Sequence, residues 1–133
     1  MGWFGKKINV PLYRLLGLDP MDAPITTFSI GIATPEAKCL KVLEVEPFPV
    51  LKIKVGLNTD EATISAVPSA RKKPLRVDAN EGWKDKEEAA RKINWLESQG
   101  VGFVEQPMPT DMIEETRWVR SCLHLPLIAD EPL

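Results

Sequence analysis

Apolar and charged positions along the chain fall into a repeated pattern: a short apolar run, a charged tip, then a stretch with helical spacing. Residues 50–55 are apolar around Lys52 and Lys54, residues 75–77 lead to Asp78, residues 101–104 to Glu105, and residues 126–129 to Asp130. The charged tips recur after 24 residues (54 to 78), 27 (78 to 105) and 25 (105 to 130), about the length of one strand-plus-helix unit. Residues 25–32 alternate and are rich in β-formers, which predicts a first strand. The other predicted strands are 50–55, 75–78, 101–105 and 127–130. Thr34-Pro35-Glu36 predicts a helix start, with a cap hydroxyl and a proline in the first turn; Pro47 and Pro49 stop that helix. A second helix is predicted from Thr59 or Asp60. A third has the clearest ends, because Asp85 and Glu88 fit a capping box and Gly100 the position after the last turn. Ala89, Ile93 and Leu96 mark its buried face. A fourth, about 110–123, is expected to bury Met112, Thr116, Val119 and Leu123. Two residues conflict with their elements. Pro68 falls late in the second helix, at a cost of about 3 kcal/mol inside a helix, and Gly102 offers its strand nothing to pack. Ahead of the repeat, residues 10–16 predict a short helix with Pro11 in its first turn and Gly17 at its end, then a linker; nothing before residue 8 reads as the start of a domain.

Parallel strands joined by helices put their C-terminal ends on one edge. The period alone therefore gathers a lysine pair and three acids on a single rim. Two α/β folds accommodate five such units, a complete doubly wound sheet of flavodoxin type or the first five strands of a (β/α)₈ barrel, and the pattern leaves both open.

Composition narrows the picture mainly by exclusion. With 133 residues, 44% hydrophobic and 27% charged, the chain can build one domain around one core. A net charge of −2 argues against a nucleic-acid or anionic-membrane surface. No apolar run nears the roughly 20 residues of a membrane helix, and the N-terminus lacks the apolar core of a secretion signal. Cys39 and Cys122 form no disulfide framework or zinc spacing and are expected to be buried helix thiols in a reducing cytoplasm. No phosphate loop, dinucleotide fingerprint, nucleophile elbow or zinc-helix motif is present.

Asp78, Glu105 and Asp130 are the hard oxygen ligands that Mg²⁺ requires, and a dication would relieve their mutual repulsion. Each acid could equally be a solvated cap at its loop. Lys52 and Lys54, two apart on a strand, share a face. Side by side and partly buried, they are expected to lower each other's pKa, which makes Lys54 a credible general base; the alternative is that both face solvent. Asn80 and Gln106 follow the acids and can hold a turn or meet a ligand. His124 reads as a helix-end residue, and Trp83, Trp95 and Trp118 as packing residues.

Lys52-Ile53-Lys54, Asp78-Ala79-Asn80, Glu105-Gln106-Pro107 and Asp130-Glu131, in this order, resemble the enolase superfamily in its mandelate racemase/muconate-lactonizing subgroup. Three stretches, Val10-Pro11-Leu12-Tyr13-Arg14-Leu15-Leu16-Gly17, Leu51-Lys52-Ile53-Lys54-Val55-Gly56 and Pro74-Leu75-Arg76-Val77-Asp78-Ala79-Asn80-Glu81-Gly82-Trp83, are most similar to its dipeptide epimerases of the L-Ala-D/L-Glu type. The resemblance covers nearly the whole chain. It implies a partial (β/α)₈ TIM barrel over residues 23–133, preceded in residues 1–22 by the last helix of a capping domain and a linker. It implies Mg²⁺ held by Asp78, Glu105 and Asp130, with Lys54 as acid/base. Lys52 assists and contacts a carboxylate or enolate oxygen, and Thr27, near the end of strand one, and Asn80 contact substrate. The chemistry implied is proton abstraction α to a carboxylate or carbonyl through an enolate, since such sites pair a Lys or His base with Mg²⁺. The substrate would be a small molecule, a dipeptide or N-acyl amino acid. Full-length relatives would be homo-oligomers, with no nucleic-acid or membrane partner. A cycloisomerase or N-acylamino acid racemase of the same superfamily is the alternative, as is a non-catalytic doubly wound Mg²⁺-binding module. A two-base epimerase needs an opposing lysine on a sixth strand, so these 133 residues alone are expected not to epimerise. Their open strands are expected to make them marginal or self-associating.

Overall fold

Period-2 alternation of the five runs produces five short strands, and each charged tip stands where its run ends. The computed structural model describes residues 2–31, 48–57, 59–65 and 73–130. The strands are β1 (Thr27–Ile30), β2 (Val50–Lys54), β3 (Leu75–Asp78), β4 (Val101–Glu105) and β5 (Leu127–Ile128). The helices are α1 (Gly2–Ile8), α2 (Leu12–Leu15), α3 (Asp60–Ser65), α4 (Lys86–Ser98) and α5 (Ile113–Ser121), with a 3-10 turn over Pro20–Asp22. The helix expected at 34–46, Pro68, Cys39 and Glu131 lie outside the described residues.

The strands form one sheet in the order β1-β2-β3-β4-β5, with every neighbouring pair parallel. Sequential order excludes the doubly wound alternative, in which strand order reverses at a switch point. It is the order of the first strands of a (β/α)₈ barrel.

Alternation gives the sheet two unlike faces. Ile30, Leu51, Ile53, Val77 and Val104 share one and are fully buried. With Ala89, Ile93 and Leu96 of α4 and Val119 of α5 they form the core. Burying one such aliphatic side chain contributes about 1.5–3 kcal/mol. Thr27, Ser29, Lys52, Lys54, Arg76, Asp78, Phe103 and Glu105 occupy the other face by register.

The ends of α4 follow the sequence expectation. The Asp85 side chain accepts the Glu88 backbone N–H at 2.7 Å, and Gly100 adopts a φ of +82° beyond the Gln99 cap. Helix α5 starts later than expected, at Ile113, and buries Val119, with Leu123 buried just beyond its end. Residues 2–8 are helical as well, although no capping or apolar periodicity marks them. Two expectations are corrected. Cys122 caps α5 and is exposed, because its side chain leaves the helix on the solvent side. Trp118 is 39% exposed and lies under the Lys86 ammonium, 5.0 Å from its ring centroid, so it is not a core residue.

Candidate metal and acid–base site

The rim is assembled by register. Lys54 stands opposite Asp78, and Lys52 opposite Arg76. Asp78 stands opposite Glu105, but only because β4 carries one extra residue. Leu75 pairs with Val101 and Val77 with Val104, so two steps on β3 match three on β4. Without that bulge Val104 would face Asp78, and Glu105 would turn toward the helices. Gly102 lies in the bulge, where a Cβ would meet Leu75 O at 3.5 Å, an ordinary contact.

Asp78 and Glu105 are buried, 2% and 8% exposed, and converge on one ammonium group. Lys52 Nζ donates to Glu105 Oε1 at 2.9 Å and Oε2 at 3.1 Å, and lies 3.1 Å from Asp78 Oδ2. Lys54 Nζ is 3.6 Å from the same Oδ2 and donates to Asn80 Oδ1 at 2.8 Å. Asn80 turns through a φ of +44° and donates its backbone N–H to Asp78 Oδ1 at 3.0 Å. It therefore both closes the turn and holds the lysine. Burial disfavours the charge on Lys52, but hydrogen bonds to Glu105 and Asp78 and their negative charges outweigh it and raise its pKa above the ordinary lysine value. This reverses the expected lowering for Lys52: the acids facing it count for more than its burial.

Asp130 is exposed, two residues past Ile128, the register partner of Glu105. Its backbone N–H donates to Gln106 Oε1 at 3.0 Å. Gln106 is buried, donates its side-chain N–H to Met108 O at 3.0 Å and its backbone N–H to Ile128 O at 2.8 Å. It thus joins the tips of β4 and β5. Among the described residues no three acids are gathered into a metal-binding group. Asp78 and Glu105 meet, and Asp130 stands apart on the same edge. The donor set nonetheless suits Mg²⁺: two buried carboxylates offer hard oxygen atoms side by side, both on Lys52 and one also near Lys54, and a third is attached to the rim by its backbone.

Thr27 is not near the end of its strand, as expected, but opens it, opposite Val50. Its Oγ1 accepts the Arg76 guanidinium at 2.6 Å, and Phe103 lies 5.1 Å beneath that guanidinium. Ser29, which the sequence did not single out, is exposed and stands opposite Lys52. Only the register between strands could have marked it. His124 is exposed in the turn leading into β5, at the edge away from the rim. Trp83 is buried and Trp95 packs on the core, as expected.

Among the described residues no helix is long and apolar enough to cross a membrane. The enolase C-terminal domain-like family matches residues 36–133. A curated L-Ala-D/L-Glu epimerase from Bacteroides thetaiotaomicron is 40% identical over 130 residues, covering 97% of this chain and 34% of that protein. The crystal structure of a dipeptide epimerase from Cytophaga hutchinsonii, complexed with Mg and the dipeptide D-Ala-L-Val, superposes with a TM-score of 0.76 at 26% identity, over 90% of this chain and 34% of that one. The N-succinyl Arg/Lys racemase from Bacillus cereus gives a TM-score of 0.77 at 32% identity, over 98% and 37%. The chain thus spans about a third of the length of these relatives. A sequential parallel sheet, a charged rim at its C-terminal edge and a family match over 36–133 agree: the chain belongs to the enolase C-terminal domain-like family.

Proposed function

We propose that this chain carries the metal-binding rim and one acid/base of a Mg²⁺-dependent isomerase that epimerises dipeptides of the L-Ala-D/L-Glu type through an enolate. The observation that carries the reading is the convergence of Lys52, Lys54, Asp78 and Glu105 within 2.9–3.6 Å at adjacent strand tips. The named activity of the Bacteroides relative, and the Mg and dipeptide in the Cytophaga complex, support it. In this reading residues 1–22 belong to a capping domain and linker, and residues 23–133 to the barrel.

Asp78, Glu105 and Asp130 hold the ion. When bound, Mg²⁺ supplies Lewis-acid stabilisation of the charge that develops on the substrate carboxylate. Lys54 removes the α-proton from one face; its bond to Asn80 Oδ1 aims the nitrogen across the rim. Lys52, kept charged by its two carboxylates, meets the carboxylate or enolate oxygen. Asn80 borders the substrate. Thr27 acts below them, through Arg76. Inversion requires a second acid/base on the opposite face, and among the described residues the rim offers one lysine pair. These residues alone therefore exchange an α-proton with retention and do not epimerise.

A second reading, an N-acylamino acid racemase, is favoured by the superposition on the N-succinyl Arg/Lys racemase. Both are tested by incubating the chain with Mg²⁺ in D₂O and following α-proton exchange by NMR, with Ala-Glu epimers and N-succinyl-arginine in parallel. One Ala-Glu epimer should exchange, and Lys54→Met should slow it by about 10²–10⁴-fold. Preferential exchange of N-succinyl-arginine selects the second reading. Exchange of neither, or exchange indifferent to Lys54→Met, removes both.

A further inference from the structure

Behind the rim lies a buried ion-pair cluster that faces away from the lysines. Asp60, at the start of α3, is buried. Its Oδ1 accepts the backbone N–H groups of Gly56 at 3.0 Å and Leu57 at 2.9 Å. Its Oδ2 accepts the Trp83 indole N–H at 3.1 Å and lies 3.4 Å from Lys92 Nζ. Lys92 is buried too, 3.1 Å from Glu88 and 5.4 Å from the centroid of the Trp83 ring. An acid opening a short helix needs none of this, since it can interact with the helix dipole from solvent. Sinking the carboxylate is costly unless every lone pair finds a donor, and here both oxygens have them.

These donors come from different βα loops. Gly56 and Leu57 follow β2, and Trp83 follows β3. The Trp83 backbone N–H in turn donates to Pro107 O, after β4, at 3.1 Å. The first two loops also touch: a Cβ on Gly82 would lie 2.4 Å from Gly56 Cα. Lys54 is two residues before Gly56, and the Val55 N–H between them donates to Asp78 O at 2.8 Å. We propose that Asp60 is a positioning residue for the rim: its buried carboxylate locks the turn after β2 to Trp83 and so fixes Lys54 against Asp78. The proposal deepens, and rests on, the metal and acid–base reading of that rim.

Asp60→Asn keeps an oxygen for the Gly56 and Leu57 N–H groups. Its amide N–H, however, faces the Trp83 N–H and the Lys92 ammonium, so the bond between loops breaks while the turn survives. Trp83→Phe breaks the same bond from the other side. Asp85→Ala is the control: Asp85 ends the loop that carries Trp83, but its carboxylate accepts the Glu88 N–H and leaves the bond between Trp83 and Asp60 in place. Mn²⁺ serves as the spectroscopic probe, titrated by electron paramagnetic resonance, with thermal melts alongside. Asp60→Asn and Trp83→Phe should each weaken Mn²⁺ binding by about tenfold or more, the usual effect of losing a partner behind a metal ligand. Asp85→Ala should change it by less than about twofold whatever its melt, because it shares no partner with the rim. Wild-type affinity in both loop variants, or an equal loss in Asp85→Ala, overturns the proposal. If wild type binds Mn²⁺ no better than Asp78→Asn, the metal reading fails, and the metal-free chain decides the positioning role. Ala79 and Asn80 amide resonances that move in both loop variants and not in the control sustain it; unmoved resonances overturn it.

Discussion

The two faces of the sheet are built from the same strands and obey opposite rules. Under the helices, Leu51, Ile53, Val77 and Val104 are fully buried, and their contribution is non-directional burial. One residue away along each chain, Lys52, Lys54, Asp78 and Glu105 stay on the inner face because each finds a partner at a defined distance. The difference teaches that fold and chemistry are separated here by parity alone. A slip of one residue in any strand exchanges them, and β4 shows how that is managed, since its bulge restores Glu105 to the side of Asp78.

The comparison breaks most sharply at Asp78, which two lysines and the Asn80 N–H share. Asp78→Asn should weaken Mn²⁺ binding beyond the about 10–100-fold cost typical of residues behind a ligand, and should lower the melt less than the loss of a core side chain does, since Lys52 keeps Glu105. Binding that survives the substitution removes Asp78 from the metal site. On the other face, Ile93→Ala should cost about 2–5 kcal/mol in urea unfolding, because Ile93 is fully buried against the sheet. Below its midpoint, the remaining folded fraction should bind Mn²⁺ with wild-type affinity. Gly82→Ala joins the two effects. Its added methyl meets Gly56 backbone, not a yielding side chain, so we expect about 1–3 kcal/mol of destabilisation together with weaker Mn²⁺ binding. A Gly82→Ala chain that loses stability alone would show that the loops move independently of the rim.

How much of this was legible in the sequence follows the range of each signal. Asp85, Glu88 and Gly100 are local cues, and α4 begins and ends where they place it. The tips Asp78 and Glu105 close strands whose limits match the apolar runs. What was missed depends on pairing between distant segments. The bulge that contains Gly102 is visible only once β3 is laid beside β4. Trp83 and Lys92 lie 23 and 32 residues beyond Asp60 along the chain, and no periodicity connects them to it. Thr27 opens its strand, because pairing with β2 begins at Thr27 and Val50, two residues after the β-forming run does. Only the resemblance implies a helix in the N-terminal segment, since residues 2–8 have no cap or apolar stripe and Trp3 and Phe4 remain exposed.

The smallest expected effect concerns Lys52, whose environment the sequence alone misjudged. Its pKa in the folded chain lies above the ordinary 10.5, since two carboxylates outweigh burial. The folded state therefore holds this proton more tightly than the unfolded state. The resulting stabilisation is fully present below the unfolded pKa and is lost as pH rises through the raised folded value. In metal-free protein, urea stability should fall above about pH 10.5, modestly because the side chain retains some solvent exposure. Lys52→Arg keeps a positive charge throughout that range, so its stability should fall less steeply than wild type over the same interval. All other residues are common to both proteins, which makes the difference between the two curves the quantity that counts. Parallel curves would mean that Asp78 and Glu105 hold the Lys52 proton no more tightly in the folded chain than water does. The pairing that distinguishes the inner face from the apolar one would then contribute geometry without stability.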